Sequence, residues 1–285
     1  MACVKCNVCD RPGCMSTASE LRPVPSNVRR FRSETFRMWR CENCRSIHCA
    51  DDVDLAHYYA NYPIKQLKLD FHTRTGYENR IRLLKRAGVD RSHKILDYGC
   101  AGGLFVQFLR ESGFASANGY DPYEPSFADD RVLKSYNCVT SFDVIEHDDD
   151  PAAFLKRMRE LAIPGGTVIV GTPNAEGVSL ARLQNPALHA PYHRHILSAK
   201  ALLELGRRAG LEPIDLWRRS YFDTVIPTVN SRFMWRYLEK CGDIDAATES
   251  PRTGLVAISP DLWLYAIFGY FLPANDNMIV TFRRC

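Results

Sequence analysis

The sequence predicts an α/β protein: a mostly parallel sheet covered by helices, with a small metal-stapled head in front of it. Three observations carry this expectation. Seven of the eleven cysteines fall within the first 49 residues and include two CxxC pairs. Residues 94–111 read as a strand, a glycine-rich turn and a helix. Further on, short apolar runs end in acids and alternate with segments of helical spacing, the pattern of βα units on a parallel sheet.

The bulk properties bound the answer. The chain has 285 residues, of which 46% are hydrophobic and 25% charged, ordinary for a globular protein with one large domain and a small one. The apolar run 262–272 is far short of the ~20 residues that cross a bilayer. No charged-then-apolar secretion signal opens the chain, so a cytoplasmic protein is expected. Residues 1–50 carry nine Lys/Arg against four Asp/Glu, so the head holds +5 and the remainder −1 of the total of +4. That basic bias is mild, and a solvated basic face accounts for it as well as an anionic partner does.

In the head, the pairs are Cys6-Asn-Val-Cys9 and Cys41-Glu-Asn-Cys44. Each CxxC turn lets two thiolates reach one ion, and two such turns complete a tetrahedron around structural zinc. Cys3, Cys14 and Cys49 are spare thiols able to replace one of the four, and a set of unligated reduced cysteines is the alternative. Four thiolates leave no open position, so a catalytic zinc is not expected. The expected division is a zinc-binding head over 1–50, a helical linker over 51–93, and a body over 94–285 with an aromatic-rich insertion at about 222–275. In the linker, Leu55-Ala-His-Tyr-Tyr suggests a short amphipathic helix. The apolar spacing Tyr77, Ile81, Leu84, Ala87 suggests a helix ended by Gly88.

The body opens with Lys94-Ile-Leu-Asp-Tyr-Gly-Cys-Ala-Gly-Gly-Leu-Phe. A strand ends at Asp97, a glycine turn follows, and a helix runs from Leu104 to Glu111. A dinucleotide fingerprint needs a third glycine where Leu104 stands, and no P-loop lysine follows, so a pyrophosphate ligand is disfavoured. An acid before the turn suits a ligand with a cationic tail. This DxGCxxG stretch resembles motif I of the Rossmann-like S-adenosylmethionine-dependent methyltransferases. The resemblance implies that Asp97, Gly99, Cys100, Ala101 and Gly103 border S-adenosylmethionine, with Ala101 a departure from the usual glycine. Asp121, 18 residues past Gly103 and followed by Pro122, lies where a ribose-binding acid is expected. Only 16 residues then separate Asp121 from Cys138. The third strand of the seven-stranded sheet that the resemblance implies is therefore expected to be shortened, near 132–134. Asp129 and Asp130 are candidates for the adenine contact.

The stretch Ser-Phe-Asp-Val-Ile-Glu-His-Asp-Asp-Asp-Pro (141–151) joins the fourth strand to a helix. Phe142 and Asp143 would close the cofactor edge. Asp150 is a natural N-cap before Pro151, and Asp148 and Asp149 favour the positive helix end. The motif Phe-Asp-Val-Ile-Glu-His-x-x-Asp-Pro is similar to the post-strand-four motif of methyltransferases acting on sugars, quinone precursors and related metabolites. That similarity implies catalytic roles for His147 as base or hydrogen-bond partner and for Glu146 in orienting it. A histidine that only satisfies loop backbone is the alternative. His193 and His195, on the segment before a helix capped by Ser198, are further catalytic candidates. Leu211-Glu-Pro-Ile and Met278-Ile-Val-Thr-Phe are the expected sixth and closing strands.

The leading expectation is a methyltransferase acting on a small hydroxylated metabolite, a sugar or glycan-linked substrate, with O-methylation favoured over the C-methylation of a keto-sugar. An RNA base methyltransferase delivered by the basic zinc head is the enzyme alternative. A non-catalytic scaffold would be expected to lack Asp97 and Asp121. The insertion over 222–275 has the aromatic content of a lid, a membrane-surface contact or a homodimer face, although aromatic stripes usually bury themselves.

Overall fold

A computed structural model describes residues 5–9, 14–60, 62 and 67–285. Its centre is a six-stranded sheet built from β4 (Ile95–Tyr98), β5 (Ala117–Tyr120), β6 (Tyr136–Phe142), β7 (Ala162–Pro173), β9 (Leu211–Trp217) and β10 (Asn277–Arg284). The order is β5-β4-β6-β7-β10-β9. The first four run parallel, and β10 is inserted antiparallel to both β7 and β9.

Alternation along the strands feeds two cores. Leu96, Val139, Val168, Val170 and Val280 face α4 (Pro151–Leu161) and α5 (Ala199–Arg208). Ile95, Cys138, Ile169 and Ile279 face α2 (Phe71–Arg86) and α3 (Leu104–Glu111). Each fully buried aliphatic side chain here contributes about 1.5–3 kcal/mol. The helix starts follow the sequence chemistry. Asp150 accepts from the amides of Ala152 and Ala153 at 3.1 and 3.0 Å, and Ser198 accepts from Ala201 N at 3.1 Å. Asp70 caps α2 earlier than the apolar spacing alone indicated.

The mostly parallel α/β sheet is as the sequence predicts, with one strand fewer than seven. Between β5 and β6 the described residues form no strand; the segment expected to hold it contains a 3-10 turn, Asp130–Val132, capped by Asp129. Sixteen residues cannot return the chain across a full helix and strand, and here they are spent on turns.

The head is woven into the body. Strands β1 (Glu20–Pro25), β2 (Thr35–Arg40) and β3 (Ile47–Cys49) form an antiparallel sheet whose fourth strand is β8, His195–Ile196. Cys6, Val8, Trp39, Cys41 and Cys44 pack into the same core as α4 and α5. The insertion contains α6 (Ser231–Cys241), α7 (Thr253–Ala257) and α8 (Pro260–Phe268) around a small core of Phe233, Tyr237, Leu238, Leu262 and Ala266. Arg29 of the head pairs with Asp243 and Glu249 of this insertion. Trp263, Phe268 and Phe271 of the insertion are exposed. Among the described residues, no helix is long and apolar enough to cross a membrane.

Candidate active site

The carboxyl ends of β4, β5 and β6 meet at one edge of the sheet, where ligands of open α/β sheets bind. The turn after β4 is fixed by backbone bonds, with Gly99 N donating to Tyr120 O at 2.7 Å. Gly99 has φ +77°, and a Cβ there would lie 2.4 Å from Val144 Cγ2. Gly103, the N-cap of α3, has φ +74°, and a Cβ there would lie 2.1 Å from the Phe127 ring. Both positions need glycine. Ala101 adopts φ +46°, a left-handed conformation disfavoured for an L-residue. Its amide donates to Asp121 Oδ2 at 2.9 Å, and Tyr123 N donates to Asp121 Oδ1 at 2.9 Å. Asp121 thus links the glycine turn to the end of β5, and each of its oxygens keeps a lone pair for a further donor.

Asp97 is buried and accepts a hydrogen bond from Thr140 Oγ1 at 2.7 Å. Burial raises its pKa to about 6, against the opposing pull of the Arg80 cation. Cys100 is buried between this turn and Gly119, and burial pushes its thiol up. Phe142 ends β6 buried against Phe105 and Tyr221. Asp143 follows at φ +57° and accepts from the Tyr221 hydroxyl at 2.8 Å. Asp129 is occupied by Arg131, and Asp130 accepts from the Tyr120 hydroxyl.

Sequence reasoning missed Arg80. Its guanidinium lies in a box of rings, 3.7 Å from the Tyr221 centroid, 4.2 Å from Phe142 and 4.9 Å from both Tyr77 and Phe105. It is a buried cation beside the carboxylates of Asp97 and Asp143. The signal was present: Arg80 lies on the apolar stripe of α2, three residues after Tyr77, where a solvated arginine would not be placed.

Beyond β6 the structure brings Glu146, His147 and His193 together, one ligand atom from each lying within 4.8 Å of the others. Glu146 is fully buried; its Oε2 accepts from Thr172 Oγ1 at 2.9 Å, and its Oε1 has no hydrogen-bond partner among the described residues. His147 Nδ1 faces the Tyr192 carbonyl at 3.0 Å and the Tyr59 hydroxyl at 2.8 Å. His193 Nδ1 faces the Ala187 carbonyl at 2.8 Å. A carbonyl only accepts, so both Nδ1 atoms carry the proton and both Nε2 atoms present lone pairs. Burial lowers the His147 pKa to about 4 and places that of His193 well below its ordinary value, so both rings are neutral at pH 7. Tyr59 from α1 (Leu55–Tyr59) also stacks on Tyr123, walling this side of the edge.

His195 is not part of that group. On β8 it faces the head, with Nδ1 2.9 Å from His48 Nδ1 and Nε2 3.2 Å from the Asp149 carbonyl. A two-residue strand sends neighbouring positions His193 and His195 to different surroundings once β8 pairs with β3.

The head cysteines converge. Cys6, Cys9, Cys41 and Cys44 place all four sulfurs within 4.8 Å of one another, with Cys6–Cys44 and Cys6–Cys9 at 3.7 Å and Cys9–Cys41 at 3.8 Å. A tetrahedral ion with metal–sulfur bonds of about 2.3 Å sets its sulfurs about 3.8 Å apart. Cys14 lies by Ser16, and Cys49 is buried on β3; neither enters the cluster. Cys3 falls outside the described residues.

Comparison with known proteins decides the family. Residues 71–216 match the family model for a methyltransferase domain. The chain belongs to that family. It is an S-adenosylmethionine-dependent methyltransferase, as the glycine turn and its flanking acids led one to expect. Curated relatives include a tRNA U34 carboxymethyltransferase from Dichelobacter nodosus, 28% identical over 39% of this chain and 42% of its own length. Another is a ubiquinone biosynthesis O-methyltransferase from Dinoroseobacter shibae, 28% identical over 52% of this chain and 72% of its own length. Among solved structures, a chain from the complex of the Haloferax volcanii Trm112 methyltransferase activator with a methyltransferase matches 82% of this methyltransferase and 99% of itself. The TM-score is 0.51 at 15% identity, a likeness of fold.

Proposed function

We propose that this methyltransferase transfers the methyl group of S-adenosylmethionine to a hydroxyl oxygen of a small metabolite, a sugar or glycan-linked substrate being the first class to test. The observation that carries this is the cluster of Glu146, His147 and His193 beside the cofactor edge, in which each imidazole keeps a lone pair on Nε2 while burial, with the nearby Asp143 charge, pushes the Glu146 carboxyl up. A hydroxyl donates into such a group, leaving its own oxygen lone pair free to attack the methyl carbon.

On this reading Asp121 accepts the ribose hydroxyls, and the glycine turn packs under the ribose and methionine portions. Asp97 faces the cofactor's ammonium group. Arg80 supplies the cation for the cofactor's carboxylate, in a buried setting where a charge-assisted bond is strong. The role expected of His147 narrows. With Nδ1 occupied and its pKa lowered, it accepts a hydrogen bond through Nε2 and is poorly suited to hold a proton. The curated O-methyltransferase relatives support transfer to oxygen. In the head, zinc held by Cys6, Cys9, Cys41 and Cys44 fits the sulfur spacing; the ion would join the two CxxC turns and anchor the head sheet. Cytoplasmic residence belongs to the same reading.

The test is a screen of nucleotide sugars and glycans with methyl-labelled S-adenosylmethionine, with total RNA as a parallel substrate. Label in a hydroxylated small molecule or glycan is the expected result. Label confined to RNA would replace this reading with that of an RNA base methyltransferase.

A further inference from the structure

We propose that Glu146, His147 and His193 form a second metal site, one that takes a first-row divalent cation such as Mn2+ at the acceptor side of the cofactor edge. The role assigned to the ion rests on the O-methylation reading above; the binding itself does not.

The argument begins with an imbalance. Glu146 Oε1, wholly buried and without a donor, is directed at His193 Nε2 across 4.0 Å. That is too long for a hydrogen bond, so a proton on either atom does not join them. It is within the span of two metal–ligand bonds of about 2.1 Å each meeting at one ion. The His147 ring meets that of His193 edge-on at 4.9 Å between centroids, and its Nε2 is the remaining lone pair. A carboxylate oxygen buried without a partner beside two imidazole lone pairs is costly unless a cation sits between them.

The outer contacts have the form that metal sites use. Each histidine donates its Nδ1–H to a backbone carbonyl, of Tyr192 or of Ala187, which fixes the tautomer and leaves Nε2 with the lone pair; that of His193 faces Glu146. The second carboxylate oxygen of Glu146 is held by Thr172. Two imidazoles and one carboxylate suit a first-row ion better than Mg2+ or Ca2+, which prefer all-oxygen sites, and they leave coordination positions open; Mn2+, the weakest binder of that series, is the stringent probe.

With the ion in place, those positions would take the acceptor oxygen, and coordination would replace its direct hydrogen bond to His147. A hydroxyl bound there loses its proton to solvent more readily, so no side chain has to hold it. The oxygen then attacks the methyl carbon of the sulfonium: the O–C bond forms, the C–S bond breaks with its electron pair going to sulfur, and S-adenosylhomocysteine leaves. An acceptor with two adjacent oxygens, such as a vicinal diol, fits two open positions best.

The full chain, purified without chelator, is titrated with Mn2+ while the free-ion electron paramagnetic resonance signal is followed. One Mn2+ per chain is expected. Affinity should fall at least ~10-fold in Glu146→Gln and His193→Asn, with S-adenosylmethionine affinity unchanged. Co2+ bound to the unaltered chain should develop visible absorption bands, a readout that needs no variant. Absence of Mn2+ binding, or equal affinity in both folded variants, overturns the site. Undiminished transfer to a hydroxylated acceptor in cation-depleted protein overturns its role and leaves O-methylation standing. Mn2+ bound by the unaltered chain and lost in the variants, with label found only on another acceptor class, supports the site while the O-methylation reading falls.

Discussion

Replacing Asp121 with Asn tests the cofactor site at the point where its geometry is best defined. The carboxylate accepts from two backbone amides, Ala101 N and Tyr123 N, each at 2.9 Å, one on each oxygen. Asparagine keeps one acceptor and turns an NH2 group toward the other amide, so one of these bonds becomes a donor–donor clash. On the proposed cofactor reading the ribose loses a charge-assisted partner, worth about 1.5–3 kcal/mol, or about a 10- to 150-fold rise in Kd for S-adenosylmethionine. The same change loosens Ala101, whose φ of +46° is held in part by that amide bond. Asp121→Ala removes both acceptors and is expected at or beyond the upper end of this range. Calorimetry with S-adenosylmethionine and S-adenosylhomocysteine measures it, with circular dichroism as a check on folding. Unchanged affinity in folded Asp121→Asn would refute the assignment.

Three further expectations follow from the same structure. Elemental analysis should find about one zinc per chain, and removing it should lower the melting temperature of the whole chain, because the head shares its core with α4 and α5; metal-free protein with an unaltered Tm would count against this. Asp97 has its pKa raised to about 6 and must be ionised to meet an ammonium group, so S-adenosylmethionine affinity should be level above that pH and fall as pH drops through it. In Asp97→Asn the affinity is lower and this dependence on pH disappears; a wild-type profile that stays level down to pH 5 would contradict the role. Arg80→Met should weaken S-adenosylmethionine binding by roughly 10- to 100-fold while leaving the decarboxylated analogue little affected, since only the former carries the carboxylate; equal losses for both ligands would mean that Arg80 merely supports the fold.

Much of this architecture was legible in the sequence because it is local chemistry. Asp150 before Pro151 announces a helix start, and α3 begins where the glycine turn ends. The paired CxxC motifs announce the cysteine cluster, and Asp97 within β4, with the acids just after β5 and β6, marks the edge. What was hidden depends on contacts distant in sequence. Nothing near His195 shows that two residues will pair with β3 and draw that ring to His48. The missing third strand was visible as a short gap, but a gap does not say that turns will fill it. Arg80 was obscured by reading α2 for its apolar positions alone, when a charge on the apolar stripe was the informative residue. The convergence of His193 on Glu146 needed the loop after β7 to be placed.

The most direct test of the central claim uses S-adenosylmethionine carrying a 13C-labelled methyl group. Purified protein is incubated with it and with pooled nucleotide sugars and glycans, and the products are read by carbon NMR, in which O-methyl, N-methyl and C-methyl carbons are resolved. The account predicts a new O-methyl resonance that requires the protein and is strongly reduced in Asp121→Ala. Label appearing only as N-methyl or C-methyl carbon would contradict it.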